Sequence, residues 1–190
     1  MSVSDETLMR HIKDGDMESF ESLVKRWECP LLNHCYRLVN NVDLAEDLRQ
    51  EIFLRVYRAA GTYQPTAKFS TWLYRIATNI CLDTLAKQRH RKTIPIDTVS
   101  GDLDAKAIAH PVAQPDELAE RKEAEQQVRL ALERLPEDLR VIVVMRYYDG
   151  LKFREIAEIL NCPVSTVKSR MAAGMRRLNQ MLSASSDKEV

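Results

Sequence analysis

A basic stretch near the end of the chain has the residue types that bind nucleic acid. Residues 161–177, NCPVSTVKSRMAAGMRR, include several lysine and arginine side chains and no acidic one. Hydroxyl, ammonium and guanidinium groups presented by a helix suit phosphate oxygens and base edges in a DNA major groove. The side chains with this potential are Ser165, Thr166, Lys168, Ser169, Arg170 and Arg176. The stretch predicts a DNA-reading helix, and an ordinary helical hairpin with a solvated basic face is the alternative.

The residues around this stretch have the pattern of a helix-turn-helix. FREIAEIL predicts a first helix, NCP a tight break, and VSTVKSRMAAGMRRLNQML a second helix. Asn161 suits the break because its short polar side chain tolerates a left-handed backbone. The inward stripe of the second helix is predicted to be Val164, Val167, Met171, Met175 and Leu178. The outward face is predicted to be Ser165, Lys168, Ser169, Ala172 and Arg176, with Arg170 at its flank, where phosphates run.

A second basic segment is interleaved with aromatic residues. TYQPTAKFSTWLYRIATNICLDTLAKQRHRK combines lysines and arginines with tyrosine, phenylalanine and tryptophan. Aromatic rings stack on unpaired bases while cations follow the backbone, so the segment predicts single-stranded nucleic-acid binding. Asn79 adds an amide that can read a base edge. Core packing is the alternative for the rings, above all for Trp72, whereas Tyr63 and Lys68 lie on a proline-containing loop and are predicted to be exposed.

An acidic segment precedes the aromatic one. AEDLRQE places Glu46, Asp47 and Glu51 along a solvent-facing stripe, with Arg49 and Arg55 nearby. Stripes of this kind are solvated, or else they dock a protein partner.

The chain lacks the motifs of common catalytic sites. GxxxxGK[ST], GxSxG and HExxH are absent, and the histidines are scattered. We therefore predict that the protein is not an enzyme and needs no cofactor, metal or small-molecule substrate. A zinc site built from Cys29, His34, Cys35 and His11 is an alternative, but these residues lack ligand spacing on a common turn.

The formal net charge of zero hides a strong alternation of charge. Residues 1–60 carry a net charge of −3, residues 61–92 carry +5, residues 93–139 carry −6, and residues 140–190 carry +4. The two basic blocks coincide with the two segments predicted to bind nucleic acid, and an acidic block separates them.

The sequence also bears on the compartment. The N-terminus has no basic start followed by an apolar core, so no secretory signal is predicted. No apolar run approaches the roughly 18 residues of a spanning helix, and the four cysteines form no CxxC. We expect a cytoplasmic protein with reduced thiols and no membrane insertion.

Helical periodicity dominates the chain, and no strand-type alternation occurs. Asp16 and Asp43 are predicted N-caps, Gly61 a stop, and Pro30 either a kink or the first turn of a new helix. The prolines and the missing apolar period of residues 93–115 indicate a linker. We predict an all-α fold of two small helical domains joined by this flexible linker, the C-terminal one ending in the helix-turn-helix. Their bounds are 1–92 and 116–182, followed by a polar tail at 183–190.

This organisation resembles that of a bacterial RNA polymerase sigma factor of the extracytoplasmic-function (ECF) group. DLAEDLRQEIFLRVYR resembles the helix that docks on core RNA polymerase. FSTWLYRIATNICLDTL resembles the helices that melt and capture the −10 promoter element, and LPEDLRVIVVMRYYDGLKFREIAEILNCPVSTVKSRM resembles the domain that recognises the −35 element. Together the matching segments cover most of residues 8–92 and 118–182.

The resemblance implies a function, partners and residue roles. It implies a sigma factor that directs promoter-specific initiation, binds the β and β′ subunits of core RNA polymerase and promoter DNA, and has an anti-sigma partner. The implied core-docking residues are Asp47, Gln50, Glu51 and Phe53. The implied −10 residues are Tyr63, Lys68, Phe69, Ser70, Trp72, Arg75 and Asn79. The implied −35 residues are those of the basic stretch, with Lys168, Ser169 and Arg170 contacting the duplex.

The sequence departs from the family pattern in the second helix. Ala172 and Ala173 stand where relatives often carry a bulky and a basic residue, and Ser165 stands where relatives often carry glycine. Fewer side chains then reach bases, so recognition of the −35 element is expected to be weaker or to depend on DNA shape. Two alternatives remain: a helix-turn-helix regulator that binds duplex alone, and a metal-dependent nucleic-acid enzyme that uses the cysteines and histidines.

Overall fold

The computed structural model describes residues 3–92 and 115–186, and every regular element in these ranges is helical. The first range holds α1 (Asp5–Lys13), α2 (Met17–Val39), α3 (Val42–Ala59) and α4 (Phe69–Lys92). The second range holds α5 (Pro115–Arg134), α6 (Glu137–Val143), α7 (Phe153–Ile159) and α8 (Val164–Ser186). A 3-10 turn at Ala60–Thr62 follows α3, and a π-helical turn at Val144–Tyr148 continues α6. The predicted all-α fold is confirmed. The predicted linker lies outside the described residues except for Pro115, where α5 begins.

Side-chain caps set the start of two helices in the first domain. The Asp16 carboxylate accepts hydrogen bonds from two backbone N–H groups at 3.0 and 3.3 Å, which confirms the predicted N-cap of α2. The N-cap of α3 is Asn41, whose Oδ1 accepts from the N–H of Leu44 at 2.8 Å. The prediction that Asp43 caps α3 is wrong, because Asn41 already satisfies the first turn and Asp43 lies inside the helix.

The first domain is built on α2, which packs against α1, α3 and α4. The helix runs from Met17 to Val39 with Pro30 inside it, so the alternative in which Pro30 starts a new helix is wrong. Leu23, Leu31, Ile52 and Leu73 are fully buried where these helices meet. Across the described ranges, no helix combines the length and the apolar character that crossing a lipid bilayer requires.

The second domain contains the predicted helix-turn-helix. Asn161 has a φ of 48° between α7 and α8, which confirms the left-handed break. The two helices pack on each other and α8 packs on α6, around buried Ile142, Ile156 and Val167. The helix α8 extends to Ser186, so the first residues of the predicted polar tail belong to the helix. Residues 187–190 lie outside the described residues.

The apolar stripe of α8 differs from the predicted one at a single position. Met175 is exposed, whereas Gly174 is buried. A Cβ atom at Gly174 would lie 3.0 Å from Cγ2 of Val143 and 3.7 Å from Cβ of Leu139. The absence of a side chain therefore lets α8 approach α6 closely, and this fixes the helix-turn-helix on its domain.

The two domains are in direct contact. The helix α7 packs against α4, and the π-helical turn packs against α2. The helix-turn-helix thus lies beside α4, the helix that the sequence predicts to bind single-stranded nucleic acid.

Replacing Gly174 with a large side chain tests this close approach. Gly174→Leu should lower the free energy of unfolding by about 1–3 kcal/mol, because the new atoms overpack the contact with α6. Ala172→Leu, two residues earlier on the exposed side of α8, is the matched control and should change stability little. Denaturant unfolding measures both variants. Equal stability of the two variants would show that the packing of α8 against α6 does not require a glycine at position 174.

Candidate nucleic-acid interface

The outward face of α8 is polar and exposed as predicted. Ser165, Lys168, Ser169 and Arg176 are exposed, and Ala172 lies among them. Thr166 is half-buried, and its backbone carbonyl accepts a hydrogen bond from the Ser169 hydroxyl at 3.0 Å. Side chains of these types at helical spacing can contact phosphates and base edges from one groove.

Arg170 lies away from this face. It is half-buried, and its Nε lies 3.7 Å from Oδ2 of Asp138 on α6. The side chain therefore ties α8 to its own domain, whereas the sequence placed it at the flank of the DNA-reading face. The sequence carried no signal for this ion pair, because Asp138 belongs to another helix.

Aromatic residues of the first domain form a cluster at the start of α4. The ring of Tyr63 lies edge-on to that of Trp72 at 4.9 Å, and the ring of Phe69 is tilted against Trp72 at 5.7 Å, measured between centroids. Phe69 is buried, so core packing is the correct alternative for this ring. Trp72 and Tyr63 are half-buried, so the prediction that Tyr63 is exposed is wrong, because its ring packs against Phe69 and Trp72. Burial raises the pKa of Tyr63, with a further contribution from the carboxylates of α1.

A carboxylate that sequence reasoning missed holds the start of α4. Oε1 of Glu6 on α1 accepts a hydrogen bond at 3.0 Å from the backbone N–H of Phe69, the first residue of α4. This backbone hydrogen bond is the main cause that lowers the pKa of Glu6. No sequence pattern identifies such a cap, because Glu6 is distant along the chain from the helix that it serves.

The polar side chains next to the aromatic cluster project from the loop and from α4. Lys68, Arg75 and Asn79 are exposed, and Ser70 is half-buried. Arg75 and Asn79 are four residues apart and share one face of α4. The structure thus places exposed cations, an exposed amide and two half-buried aromatic rings in the segment at the start of α4.

Two of these cations are bound to the second domain. Nζ of Lys68 lies 2.9 Å from Oε1 of Glu155, and Nη2 of Arg75 donates to the backbone carbonyl of Glu158 at 3.0 Å. Both acceptors belong to α7. The pKa of Glu155 is lowered, chiefly by a hydrogen bond from the backbone N–H of Lys152 and then by Lys68.

A buried ion pair lies at the centre of the contact between the domains. Nδ1 of His34 on α2 lies 2.7 Å from Oδ2 of Asp149, which directly follows the π-helical turn, and the two side chains are 0% and 4% exposed. On its other side, Nε2 of His34 lies 3.2 Å from Oγ1 of Thr78 on α4. Burial disfavours the protonated imidazole, but the Asp149 carboxylate outweighs this effect and the pKa of His34 is raised.

Tyr74 of α4 completes the surroundings of this pair. Its ring centroid lies 5.1 Å from that of His34. Burial, with the adjacent carboxylate of Asp149, raises the pKa of Tyr74. The His34–Asp149 pair thus lies beside an aromatic ring of the first domain and joins both domains.

The acidic face of α3 is accessible to solvent. Asp47 and Gln50 are exposed, and Glu51 forms an ion pair with Arg55 at 2.8 Å. The family resemblance grouped Phe53 with these docking residues, but its side chain is 8% exposed and belongs to the core. Leu54 is instead exposed, because it follows Asp47 and Gln50 at helical spacing on the same face.

Within the described part of the chain, no three His, Cys, Asp or Glu residues are grouped so that they could hold a metal ion. His34 is engaged by Asp149, and Cys29 is exposed and apart from it. The described residues therefore do not support the alternative of a zinc site.

Comparison with protein families gives two matches that together follow the two domains. The Sigma-70 region 2 model matches residues 23–91, and the Sigma-70, region 4 model matches residues 125–178. The chain is 34% identical over 177 residues to the ECF RNA polymerase sigma factor SigW of Bacillus subtilis, covering 92% of this chain and 94% of that protein. It is 34% identical over 171 residues to the ECF RNA polymerase sigma-E factor of Escherichia coli, covering 89% of each.

Solved structures have the same fold. CnrH, determined in complex with the cytosolic domain of CnrY, superposes with a TM-score of 0.70 at 21% identity and covers 96% of this chain and 99% of its own. RpoE of Bartonella quintana, determined with the anti-sigma factor NepR, superposes with a TM-score of 0.67 at 19% identity and covers 87% and 98%.

The raised pKa of His34 predicts a pH-dependent stability. Because the folded-state pKa lies above the ordinary value of about 6.5, the contribution of the protonated imidazole is complete below about pH 6.5. It is lost as the pH rises through the folded-state value. We expect the thermal midpoint of the wild type, relative to that of His34→Asn, to fall as the pH rises. A difference between the two midpoints that stays constant or widens with pH would contradict this assignment.

Proposed function

The chain belongs to the ECF group of the sigma-70 family, and from this premise we propose which of its surfaces carry each step of promoter recognition. As a member of this family it is a transcription initiation factor rather than an enzyme. It binds core RNA polymerase and directs initiation at specific promoters. One observation supports this assignment best. The first domain carries exposed cations beside aromatic rings, at the start of α4, whereas the second domain carries exposed cations among hydroxyl side chains, on the outward face of α8.

The outward face of α8 is the proposed −35 surface. It presents Ser165, Lys168, Ser169 and Arg176 at successive turns, with no acidic side chain between them. Thr166 lies at its edge. Ala172 at the centre of the face contributes no polar group, which favours recognition of DNA shape beside a few direct contacts. Arg170 is proposed to hold α8 on its domain through Asp138.

The start of α4 and the loop before it are the proposed −10 surface. The half-buried rings of Tyr63 and Trp72 are proposed to stack on an unpaired base, and Asn79 can read the edge of that base. Lys68 and Arg75 supply charge for the strand backbone, with Ser70 at the helix start. Phe69 is a positioning residue, because its buried ring supports both Tyr63 and Trp72.

The exposed face of α3 is the proposed docking surface for core RNA polymerase, through the β and β′ subunits. Asp47, Gln50 and Glu51 form its polar part. Leu54 and Tyr57, 50% and 43% exposed, continue the same face with apolar area that a partner can bury. Phe53 is proposed to support this face from the core and not to touch the polymerase.

We further propose that the protein acts in the cytoplasm and has an anti-sigma partner. RpoE was solved with the anti-sigma factor NepR, and CnrH with the cytosolic domain of CnrY, which supports the idea without identifying the partner of this chain.

The function as a whole is tested by adding the protein to core RNA polymerase and mapping transcription start sites on genomic DNA. New start sites that share −35 and −10 sequences are expected. Binding of the isolated chain to duplex promoters, with no effect on the polymerase, would favour a stand-alone regulator.

Charge reversal on α3 tests the docking surface. Asp47→Arg should weaken association with core RNA polymerase by at least about tenfold, since a charge opposed to its own kind across an interface is costly. Glu125→Arg, an exposed acidic residue on α5, is the matched control and should bind as the wild type does. Fluorescence anisotropy of the labelled chain titrated with core enzyme measures both. Normal binding by Asp47→Arg would show that α3 does not dock there.

Alanine substitutions on α8 separate base reading from support. Lys168→Ala should lose about 1–3 kcal/mol of holoenzyme binding on the preferred −35 duplex and less on a scrambled one. Arg176→Ala should weaken both sequences alike and lower the salt dependence by about one counterion. Arg170→Ala should lower the stability of the domain by no more than about 1 kcal/mol, because its ion pair with Asp138 is largely exposed, and should leave the sequence preference unchanged. A change of sequence preference in Arg170→Ala, but not in Lys168→Ala, would reverse the assignment.

A further inference from the structure

The start of α4, on which the proposed −10 surface is built, is held by a different helix. The helices α1, α2 and α3 begin with side-chain caps that lie within three residues of the N–H groups they serve. The residue before α4 is Lys68, whose ammonium group donates hydrogen bonds and cannot accept one. The lysine therefore cannot cap the helix that follows it. Instead, the N–H of Phe69, the first residue of α4, donates to Oε1 of Glu6 on α1 at 3.0 Å.

The neighbouring carboxylate of α1 acts on the same residue from the side of the core. Oδ2 of Asp5 accepts a hydrogen bond from Nε1 of Trp27 on α2 at 3.2 Å, and its Oδ1 accepts one from Arg26. The ring of Trp27 lies 5.9 Å from that of Phe69, measured between centroids, and the Phe69 side chain is 1% exposed. Two consecutive residues in the first turn of α1 thus fix Phe69, one through its backbone and the other through a ring that packs against it.

Phe69 in turn supports the two rings assigned to the unpaired base. The ring centroids of Tyr63 and Trp72 lie 6.1 and 5.7 Å from that of Phe69. Trp72 belongs to the first turn of α4, which is the part of a helix that depends on a cap. A shift of this turn would therefore move Phe69 and Trp72 together and change the position of both base-stacking rings.

The location of these carboxylates is unfavourable for DNA binding by charge alone. A DNA strand carries a negative phosphate at every nucleotide, and a nearby carboxylate repels it. Asp5 and Glu6 lie close enough to the aromatic cluster that, after burial, both contribute to the raised pKa of Tyr63. Both are half-buried, and each is a hydrogen-bond acceptor for a residue of the cluster. Their value at this place is therefore in what they hold.

We propose that Asp5 and Glu6 are positioning residues for −10 recognition: they fix Phe69 and, through it, the rings that receive the unpaired base. The inference rests on the proposed assignment of Tyr63 and Trp72 to that base. Neither carboxylate contacts the DNA. Their effect is confined to capture of the −10 strand, because the proposed docking face on α3 and the proposed −35 face on α8 belong to other helices.

Forked DNA tests this role in the holoenzyme. The promoter is one that has been mapped with the wild-type protein, and two probes are compared. The first has a −35 duplex and a single-stranded −10 non-template strand, and the second has the same −35 duplex without that strand. The ratio of the two affinities isolates the contribution of the −10 strand, because an inactive fraction of protein lowers both affinities alike.

Three substitutions separate the acceptor from the charge. Glu6→Ala removes the acceptor and should lower the ratio roughly three- to tenfold, as expected when loss of a helix cap is expressed in binding. Glu6→Gln keeps an oxygen that can accept from the N–H of Phe69 and should recover most of the ratio. Glu18→Ala removes an exposed carboxylate from α2 and is the matched control, with a ratio unchanged or slightly raised. A ratio in Glu6→Ala that equals or exceeds the wild-type value would overturn the proposal. A loss in Glu6→Gln as large as that in Glu6→Ala would overturn it too.

Tryptophan fluorescence of the free chain supplies a second readout. The sequence has two tryptophans, and the rings of both lie against Phe69. Asp5→Ala removes the acceptor of Trp27, so the emission should shift to longer wavelength while the helical circular dichroism stays that of the wild type. The forked-DNA ratio should fall as it does in Glu6→Ala. Asp5→Asn keeps an acceptor and should resemble the wild type in both readouts. Unchanged emission or an unchanged ratio in Asp5→Ala would overturn the role of Asp5.

The outcomes separate this inference from the function on which it rests. If the wild-type protein gives new start sites with core RNA polymerase but Glu6→Ala keeps the wild-type ratio, only the positioning role is overturned. If the wild-type protein gives no new start sites, the proposed function fails and the inference fails with it.

Discussion

The arrangement of this protein depends on a buried imidazole and a buried carboxylate that come from different domains. His34 and Asp149 are 2.7 Å apart with almost no solvent contact, and the imidazole has a further hydrogen-bond partner in Thr78. Neither group is stable at such a site without the other, because an unpaired buried charge costs several kcal/mol. The position of the second domain on the first therefore follows from the need to satisfy both groups together.

This constraint links the two surfaces on which the function depends. With Asp149 against α2, α7 lies over the start of α4, where the Glu155 carboxylate pairs with Lys68 and the backbone carbonyl of Glu158 accepts a hydrogen bond from Arg75. The outward face of α8 and the exposed face of α3 remain accessible. The proposed −10 and −35 surfaces would contact elements that are far apart on a promoter, and the compact arrangement described here brings these two surfaces together. Interfaces of this kind between domains of one chain resemble transient protein contacts, which separate and re-form.

Local features of the fold were predictable from the sequence, and long-range ones were not. Asp16 and Asn161 act within one turn of their own position, so cap preference and backbone tolerance suffice to place them. The exposed face of α8 followed from helical periodicity, but periodicity alone could not distinguish Met175 from Gly174, since the choice depends on where Val143 of another helix lies. Phe53 was grouped with the docking residues by resemblance, although its phase on α3 directs it to the core.

The same limit applies to the sites. The types of side chain in the two basic segments were sufficient to predict nucleic-acid binding, because charge and aromatic content are properties of the sequence. Three contacts join residues that are distant along the chain: His34 with Asp149, Arg170 with Asp138, and Glu6 with the start of α4. Such contacts are decided by how helices dock, which a single sequence does not encode in any short pattern.

Small-angle X-ray scattering of the free wild-type chain tests the central claim most directly. A chain of 190 residues in one compact body has a radius of gyration of roughly 16 Å. The account predicts a value close to this for the free protein under conditions in which His34 is protonated. A clearly larger radius, with the scattering profile of two separated bodies, would contradict the claim that the buried pair holds the domains together.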